Sequence, residues 1–330
     1  MNPLLTIVVP TYNMEAYLRQ NLDSLFWEGA AADMEVLILD NSSTDASGAI
    51  ADEYEQTHPE LYTVIHKENH GYGSSINRAI ELARGEYLRI VDADDWVDGD
   101  ALRTLLRELA QCSADLLVMD YTTVDMRTGM KKPAAVCPPE REKRTLYEEI
   151  DPQKDPVPQL HAAVFRTAFL REQQIRLLED AFYVDEELMI LTYACARSIC
   201  YLDCNVYQYR IGNTAQSISA ASMGLRYQDR ERVIRHYLEV YRGMEQNGRV
   251  ANDCTPWIAR HIGNHFTTLY MYVKPRKKGR FLAGQWASYA KSSVPALYAK
   301  IAFKRWILLF MNLLHFSAGF YLRIQNLRRV

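Results

Sequence analysis

The sequence predicts an α/β protein with a mostly parallel, Rossmann-like sheet covered by helices on both faces, followed by a helical C-terminal region. Three observations support this prediction. Short apolar runs alternate with amphipathic helical segments over roughly the first 120 residues, as is typical of strands buried in a parallel sheet. Polar residues gather directly after four of these runs, and helical periodicity fills the chain after Met223.

Each predicted strand is a short run of β-branched and other apolar residues, and each predicted helix carries apolar residues at helical spacing. Thr44 is the expected N-cap of the second helix, and Gly85 is the expected C-cap of the third. The predicted strands are residues 5–9, 35–39, 62–66, 87–91 and 116–119, and the predicted helices are residues 15–27, 45–56, 74–84 and 100–110.

The pattern is less regular beyond this point. Residues 127–158 are polar and rich in charges and prolines, so we expect an excursion from the core. The organisation predicted is a first domain at residues 1–222 and a helical, basic region at residues 223–330. Within the first domain, helices are predicted near 164–172 and 186–197, and short strands near 199–203 and 206–209.

Charge is distributed unevenly along the chain. Its 330 residues carry a net charge of −3, and 48% of them are hydrophobic, enough for one large domain with an appendage or for two domains. Twelve of the 38 Lys and Arg residues lie from Lys274 onward, where there is no Asp or Glu, so the first 273 residues carry a net charge of −15. This asymmetry predicts an anionic partner for the C-terminal region.

The cysteines indicate a reducing compartment. The six cysteines form no CxxC pair, and the group Cys195, Cys200 and Cys204 lacks a second cluster that would complete a zinc site. We therefore expect reduced, mostly buried thiols in the cytoplasm. The apolar start of the chain has no basic n-region and no small-residue cleavage site, so it is interpreted as a strand rather than a signal peptide.

Polar clusters follow four predicted strands, and ligands bind at the carboxyl ends of strands in open parallel sheets. Taken singly, each cluster also has a structural interpretation as a turn, a helix cap or an acidic helix start. Together they favour a ligand site. The clusters are Pro10-Thr11-Tyr12-Asn13, Asp40-Asn41-Ser42-Ser43-Thr44-Asp45, Asn69-His70-Gly71-Tyr72-Gly73-Ser74-Ser75 and Asp92-Ala93-Asp94-Asp95.

Four carboxylates lie within seven residues, at Asp92, Asp94, Asp95 and Asp98. Like charges this close cost energy unless water or a cation separates them. A solvated turn and a divalent cation are both compatible with the residues alone.

The order and spacing of these motifs resemble glycosyltransferase family 2, which consists of inverting enzymes with a GT-A-like, nucleotide-diphospho-sugar-binding fold. The resemblance covers about residues 3–220, and it implies a nucleotide half at residues 1–98 and an acceptor half at residues 99–222. The stretches that carry it are TIVVPTYNMEAYL (6–18), EVLILDNSSTD (35–45), NHGYGSSINRAIELARGEYLRIVDADD (69–95) and FYVDEEL (182–188).

The resemblance implies roles for the matching residues. Asp40 would bond the uracil or other base, Asp92 would face the ribose and sugar, and Asp94 would bind Mg²⁺ or Mn²⁺ bridging the two phosphates. Asp185 would be the general base that accepts a proton from the acceptor hydroxyl. The other residues implied to lie against the nucleotide or donor are Pro10, Thr11, Tyr12, Asn13, Asn69, Gly71, Gly73, Asn77 and Ala93.

Two departures from the family pattern are visible. Ser75-Ile76-Asn77 stands where the family often has Ala-Arg-Asn, so a basic contact to the donor is missing or supplied elsewhere. Val184-Asp185 stands where the family often has Glu-Asp, and Glu179-Asp180 is a competing pair. Asp185 is preferred because its flanking residues match the family better.

Other candidate residues lie in the acceptor half. His161 is a candidate acceptor contact, although a capping or buried histidine is the more common role for such a residue. Arg210, Gln216 and Ser217 lie in a segment that resembles the family's closing loop, which would exclude water from the donor.

The acid-free region 274–330 contains an apolar stretch at residues 306–322 that is at the lower length limit for a membrane span. A helix lying on an anionic membrane surface is the preferred interpretation. A helical subdomain that packs on the body of the protein or on a second subunit, as in a homodimer, is the alternative. Nucleic acid binding is not expected, because no recognised module is present.

The resulting functional prediction is a metal-dependent inverting glycosyltransferase at the cytoplasmic face of the membrane. It would move a sugar from a nucleotide-diphospho-sugar, a UDP-sugar first, to a hydroxyl of a glycan or lipid-linked acceptor in cell-surface polysaccharide synthesis. The alternatives are a non-catalytic nucleotide-sugar or glycan-binding protein and a nucleotidyltransferase on a related fold.

Overall fold

The computed structural model describes residues 2–212, 220–317 and 319–320. The chain divides into two compact units. The first comprises Met1–Asn213 and Val240–Asn252, and the second comprises Thr214–Glu239 and Asp253–Val330. The domain boundary expected at residue 222 stays a prediction.

The first unit is built around one ten-stranded mixed sheet, whose long strand pairs are parallel. The strand order is β3-β2-β1-β4-β9-β6-β10-β5, with β7 beside β6 and β8 beside β10. The strands are β1 Leu5–Thr11, β2 Met34–Asp40, β3 Tyr62–His66, β4 Tyr87–Ile90, β5 Trp96–Val97, β6 Leu116–Asp125, β7 Lys131–Ala134, β8 Leu146–Tyr147, β9 Ala163–Arg166 and β10 Ile199–Ile211.

Every residue of β1 and β2 is buried, because these central strands are covered on both faces. Apolar, β-branched side chains on both faces make such a strand stable only inside the sheet. The α-helices of this unit are α1 Leu18–Ser24, α2 Ser47–Thr57, α3 Gly71–Leu82, α4 Gly99–Leu109, α5 Thr167–Glu172 and α6 Val184–Cys195. The predicted α/β class with a mostly parallel sheet is confirmed.

The sequence prediction was wrong at one helix and incomplete at two strands. The helix expected at residues 164–172 is strand β9 followed by the short helix α5, because the apolar run at 163–165 fills the gap between β4 and β6 as an antiparallel strand. The strands expected at 199–203 and 206–209 form one continuous strand, β10, with register shifts between Tyr201 and Tyr207. The two-residue strand β5 was not predicted.

Helix ends also differ from expectation. Helix α2 begins at Ser47 after Ala46, so Thr44 is not its N-cap. Gly85 does not cap α3, whose C-cap is Ala83. A Cβ atom on Gly85 would lie 2.4 Å from the backbone nitrogen of Thr6, so this glycine lets the chain pass close to β1.

The excursion at residues 127–158 contributes β7 and β8 and is anchored through a buried carboxylate. Asp155 accepts hydrogen bonds from the Arg141 guanidinium, from the Tyr201 hydroxyl at 3.0 Å and from the backbone N–H of Asp151 at 2.8 Å. A fully paired buried charge of this kind fixes a polar segment that has little apolar surface of its own.

The second unit is helical in its described part. Its helices are α7 Ala220–Leu225, α8 Tyr227–Gln246, α9 Thr255–Thr267, α10 Arg276–Ser293 and α11 Pro295–Leu313, with a π-helical turn at Thr268–Tyr272. Helix α8 continues beyond Glu239 into the first unit. Trp286 is fully buried in this unit beside His265, with 4.8 Å between the ring centroids. No helix in the described ranges is long and apolar enough to cross a membrane.

Candidate active site

The carboxyl ends of β1, β2 and β3 lie side by side, as the sequence predicted. Thr11 pairs with Asp40, and Asp40 pairs with His66 in the parallel register. The loops that follow are fastened together by side chains. Asn13, in the left-handed region at φ 54°, accepts a hydrogen bond from the Thr44 backbone N–H at 2.8 Å. The loops that carry the first two predicted polar clusters therefore lie together at this edge of the sheet, which we call the rim.

Asp40, the predicted base contact, is buried and already engaged. Its Oδ2 lies 2.9 Å from Nδ1 of His66, whose Nε2 lies 2.9 Å from Asp52, and its Oδ1 accepts the Ser43 backbone N–H. The hydrogen bond to Asp40 and then that to Asp52 raise the pKa of His66. A base that bound Asp40 would have to share its carboxylate with His66 and with the Ser43 backbone N–H.

Lys67 supplies a positive charge at the same rim and was not singled out from the sequence. Its Nζ donates to Asn41 Oδ1 at 2.9 Å and to Ser74 Oγ at 2.7 Å. Burial lowers the pKa of its ammonium. Ile76, at the position where the family often has arginine, is fully buried in α3 and belongs to the core. The only sequence signal for Lys67 was its place two residues before Asn69.

The glycines of the third cluster serve close packing. Gly71 has φ 77°, and a Cβ atom on Gly73 would lie 2.2 Å from the carbonyl oxygen of Leu178. Asn77 is bound to the same passing segment, because its Oδ1 accepts the Leu177 backbone N–H at 2.8 Å and its Nδ2 donates to Leu177 O at 3.0 Å. Helix α3 is thus clasped to residues 177–180, and donor contacts by Gly71, Gly73 and Asn77 stay predictions. Asn69 accepts the Gly71 backbone N–H at 3.0 Å.

The acidic turn after β4 is held by two tyrosines, the half-buried Tyr72 and the buried Tyr207, to which the sequence analysis gave no role. The Tyr72 hydroxyl donates to the Asp92 carboxylate. The Tyr207 hydroxyl donates to Asp95 Oδ2 at 2.7 Å and accepts the Asp92 backbone N–H at 3.1 Å. Two of the three carboxylates in the turn are therefore engaged by hydroxyl donors.

Arg210 fixes the turn from the other side. Its Nε donates to the carbonyl oxygen of Asp94 and its backbone N–H donates to Asp95 at 2.6 Å. The guanidinium also stacks at 4.7 Å from the ring centroids of Tyr17 and Trp96. Arg210 was predicted to belong to a closing loop, and it lies instead within β10 and is buried. Gln216 and Ser217 lie outside the described residues.

The carboxylates of the turn resist ionisation. Burial first, and then the charge of Asp94, raises the pKa of Asp92 to about 7. Burial, then Asp92 and Asp94, raises the pKa of Asp95 to about 8. Burial also raises the pKa of Asp94. A buried acidic group whose pKa is raised this far is typical of functional sites.

Asp185 lies in the first turn of α6. The N-cap of this helix is Tyr183, which has φ 71°. Its negative charge contributes to the raised pKa values of Asp92, Tyr72 and Tyr209. Asp185 and the acidic turn are therefore within electrostatic reach of each other. In the competing pair, Glu179 accepts a hydrogen bond from Asn77 and Asp180 lies 3.5 Å from His70.

His161 lies in the short 3₁₀ turn before β9, among aromatic side chains. Its ring centroid lies 3.9 Å from that of Tyr209 and 5.0 Å from that of Tyr207. Neither ring nitrogen has a hydrogen-bond partner among the described residues. Burial, with Arg89 nearby, lowers its pKa to about 3, so the imidazole is neutral at physiological pH.

The residues of the turn fit a divalent cation shared with a ligand. In the described ranges, no group of three or more His, Cys, Asp or Glu side chains could hold a metal ion alone. Magnesium is commonly bound by one or two carboxylates together with substrate phosphates. Asp94 meets this requirement, since no side-chain donor in the described part of the chain bonds to its carboxylate, unlike those of Asp92 and Asp95.

Comparisons with known proteins agree on the family. The chain is 36% identical over 127 residues to glycosyltransferase GlyA of Streptococcus pneumoniae, a stretch covering 38% of this chain and 18% of GlyA. It is 25% identical over 221 residues to the poly(ribitol-phosphate) β-N-acetylglucosaminyltransferase TarS of Staphylococcus aureus, covering 66% of this chain and 37% of TarS. The chain spans less than two thirds of the length of the curated relatives it matches.

The fold is shared with a solved structure. The crystal structure of S. aureus TarS 1–349 in complex with UDP-GlcNAc has a TM-score of 0.56 and 20% sequence identity, with 90% of each chain covered. A family model described as glycosyl transferase family 2 matches residues 6–173, which is about half of the chain. The chain therefore belongs to glycosyl transferase family 2.

Proposed function

We propose that the chain is a metal-dependent, inverting glycosyltransferase. The observation that carries this proposal is the grouping of the acidic turn at 92–95 with Asp185, whose charge raises the pKa of Asp92. The acidic turn follows the parallel strand β4, at the edge of the sheet where ligands bind in such folds. Membership of glycosyl transferase family 2 supports the reaction class.

The reaction proposed is attack by an acceptor hydroxyl on the anomeric carbon of the donor sugar. The new C–O bond forms on the face opposite the nucleotide, the bond to the diphosphate breaks, and Asp185 takes the hydroxyl proton. A base positioned in this way typically contributes about 10²–10⁴-fold. Asp185 suits the role because it lies in the first turn of α6 and its charge acts on Asp92 in the acidic turn.

Three residues of the site would position the diphosphate leaving group. Asp94 would hold a divalent cation, with Arg210 fixing the backbone of the turn and Lys67 adding positive charge at the rim. Family 2 enzymes commonly use such ions, and a bound cation would offset charge that builds up on the leaving diphosphate.

The proposed donor is a UDP-sugar, since TarS, which shares the fold, is crystallised with UDP-GlcNAc. The proposed acceptor is a hydroxyl of a glycan or lipid-linked glycan in cell-surface polysaccharide synthesis, at the cytoplasmic face of the membrane. None of the six cysteines forms a disulfide, which fits a reducing compartment. A homodimer stays a prediction.

The general-base assignment is tested with Asp185→Asn. We expect sugar transfer to fall by roughly 10²–10⁴-fold while nucleotide affinity stays nearly unchanged, because the amide cannot accept the proton. The matched control is Asp180→Asn, which removes an exposed acid from the competing pair. An active Asp185→Asn enzyme, or a greater loss in Asp180→Asn, would refute the assignment.

The cation-binding role is tested with Asp94→Ala. We expect the variant to lose the stabilisation that UDP with Mn²⁺ gives over UDP alone in a thermal melt, because a ligand stabilises only the state it binds. Asp100→Ala removes a nearby exposed acid on α4 and should keep this stabilisation. Equal metal dependence in both variants would count against Asp94.

A non-catalytic nucleotide-sugar binder is the second candidate. The observation that favours it is the burial of Ile76 and Val184 at positions where the family often has Arg and Glu. A binder would be stabilised by UDP-sugars and release no sugar during prolonged incubation with them, whereas an enzyme would transfer or hydrolyse the sugar.

A further inference from the structure

Helix α11 in the second unit has one packed face and one exposed face. The packed face is mainly apolar, with Leu297, Ile301, Leu308 and Met311 buried. It also holds two polar side chains: Asn312 is fully buried and donates to the carbonyl oxygen of Tyr270, and Lys304 donates to Asn264 Oδ1 at 3.0 Å. Burial lowers the pKa of Lys304 to about 8. Of the two polar residues that interrupt the apolar stretch at 306–322, Asn312 faces inward and His315 is exposed.

The opposite face of α11 is apolar and turned to solvent. We call this surface the outer face of α11. At 100° per residue its members fall on one side of the helix. It consists of Phe303, Trp306, Phe310, Leu313 and Leu314, which are 73%, 60%, 60%, 53% and 54% exposed.

Such a surface is unusual for a folded chain. Single exposed apolar residues are ordinary, but a contiguous patch of large aromatic and aliphatic side chains marks an interaction site. Trp and Phe side chains on one face of a helix are also typical of helices that lie in the membrane–water interface.

The charge around the outer face indicates the kind of partner. From Lys274 onward the chain contains no acidic residue. Exposed cations are found on α10, on α11 and just before α10, and they are Lys274, Lys277, Lys278, Lys291 and Lys300. Exposed lysines in the same segment as an apolar helix face are attracted to anionic lipid headgroups, at about 1 kcal/mol for each residue near the surface.

We propose that the outer face of α11 docks the protein on an anionic lipid bilayer, with the helix lying in the plane of the interface. The helix does not meet the requirements for a span. Face-to-face pairing of two copies would bring two acid-free segments together, and their like charges would repel each other. This inference concerns the second unit and is independent of the proposed chemistry.

The experiment is vesicle flotation of the full chain, using phosphatidylcholine vesicles with and without phosphatidylglycerol. The test variant is Phe303→Ser with Trp306→Ser, and the matched control is Met130→Ser with Leu225→Ser, which removes exposed apolar side chains elsewhere. We expect the test variant to lower the partition coefficient on phosphatidylglycerol vesicles by about tenfold or more, and the control to leave it within about twofold.

Charge is tested separately with Lys277→Glu and Lys278→Glu together. This variant should bind phosphatidylglycerol vesicles more weakly, and the wild type should bind phosphatidylcholine alone weakly and lose affinity as salt rises. Circular dichroism melts of all variants establish that they fold.

Three results would overturn the proposal. They are equal flotation of the test variant and the wild type, equal binding to neutral and anionic vesicles, and a wild-type oligomer that dissociates in the test variant without any vesicle binding. The last result would assign the outer face to a second copy. UDP binding with Mn²⁺, measured on the same variants, keeps a failure here distinct from a failure of the catalytic proposal.

Discussion

At the scale of single residues, the acidic turn shows what a sequence does and does not reveal. The spacing of Asp92, Asp94 and Asp95 after a strand pointed to a ligand site, and the structure places the turn in a common region with Asp185. The hydroxyls of Tyr72 and Tyr207 were missed, because nothing local in the sequence shows which carboxylate a tyrosine oxygen meets.

The raised pKa of Asp92 makes stability depend on pH. The pKa is about 7 in the folded protein and near 3.8 when exposed, so the folded state keeps a proton that the unfolded state releases. The contribution of Asp92 to stability is therefore present at pH 4 and is lost as the pH rises through about 7.

We expect Asp92→Asn to remove this loss. In urea unfolding with chelator present, the variant should be close to the wild type at pH 4 and gain stability relative to it as the pH approaches 8. Glu60→Gln, an exposed acid outside the turn, is the control and should follow the wild-type profile. A constant difference between Asp92→Asn and the wild type at every pH would contradict the assigned pKa.

At the scale of elements, the strands buried on both faces were the most predictable. A short, continuously apolar run has one stable location, the middle of a covered sheet, and β1, β2, β3 and β4 lie close to where they were expected. Strand β9 was mistaken for helix because its four residues are too few to show a period, and only the gap between β4 and β6 selects the extended form.

Close packing of α3 against residues 177–178 predicts intolerance to a single methyl group. Gly73→Ala would place Cβ 2.2 Å from a backbone carbonyl oxygen, so helix and segment must separate, at a cost of about 1–3 kcal/mol of unfolding free energy.

The control is Gly243→Ala in α8, where a Cβ atom would meet nothing within 4 Å. This variant should be more stable by about 0.5–1 kcal/mol, because alanine favours a helix more than glycine does. Denaturation midpoints measure both changes, and equal values for the two variants would show that residues 177–178 do not press on α3.

At the scale of the whole molecule, the chain passes between the two units more than once. Residues 240–252 belong to the first unit, although the residues just before them in the chain belong to the second. Asn252 donates through its side chain to the carbonyl oxygens of Tyr193 and Ala196, and Arg249 bonds to the backbone of Gln173. Nothing in the local sequence pattern predicts that the chain re-enters the first unit.

A fragment ending at residue 222 should therefore be less stable than one ending at residue 252. The shorter fragment leaves the carbonyl oxygens that Asn252 and Arg249 engage without these donors, and buried polar groups without partners cost about 1–3 kcal/mol each. We expect a lower urea midpoint and faster chymotrypsin cleavage for residues 1–222. Equal resistance of both fragments would support the domain boundary predicted from the sequence.

The register shifts in β10 have a consequence for insertions and deletions. Side chains alternate between the two faces of a strand, so the irregularity between Tyr201 and Tyr207 sets which face Tyr207 and Tyr209 occupy. Loss of one residue there, such as the exposed Asp203, would turn both rings to the opposite face and leave Asp95 without the hydrogen bond from the Tyr207 hydroxyl. The length of this short segment is thus under tighter constraint than the identity of its residues.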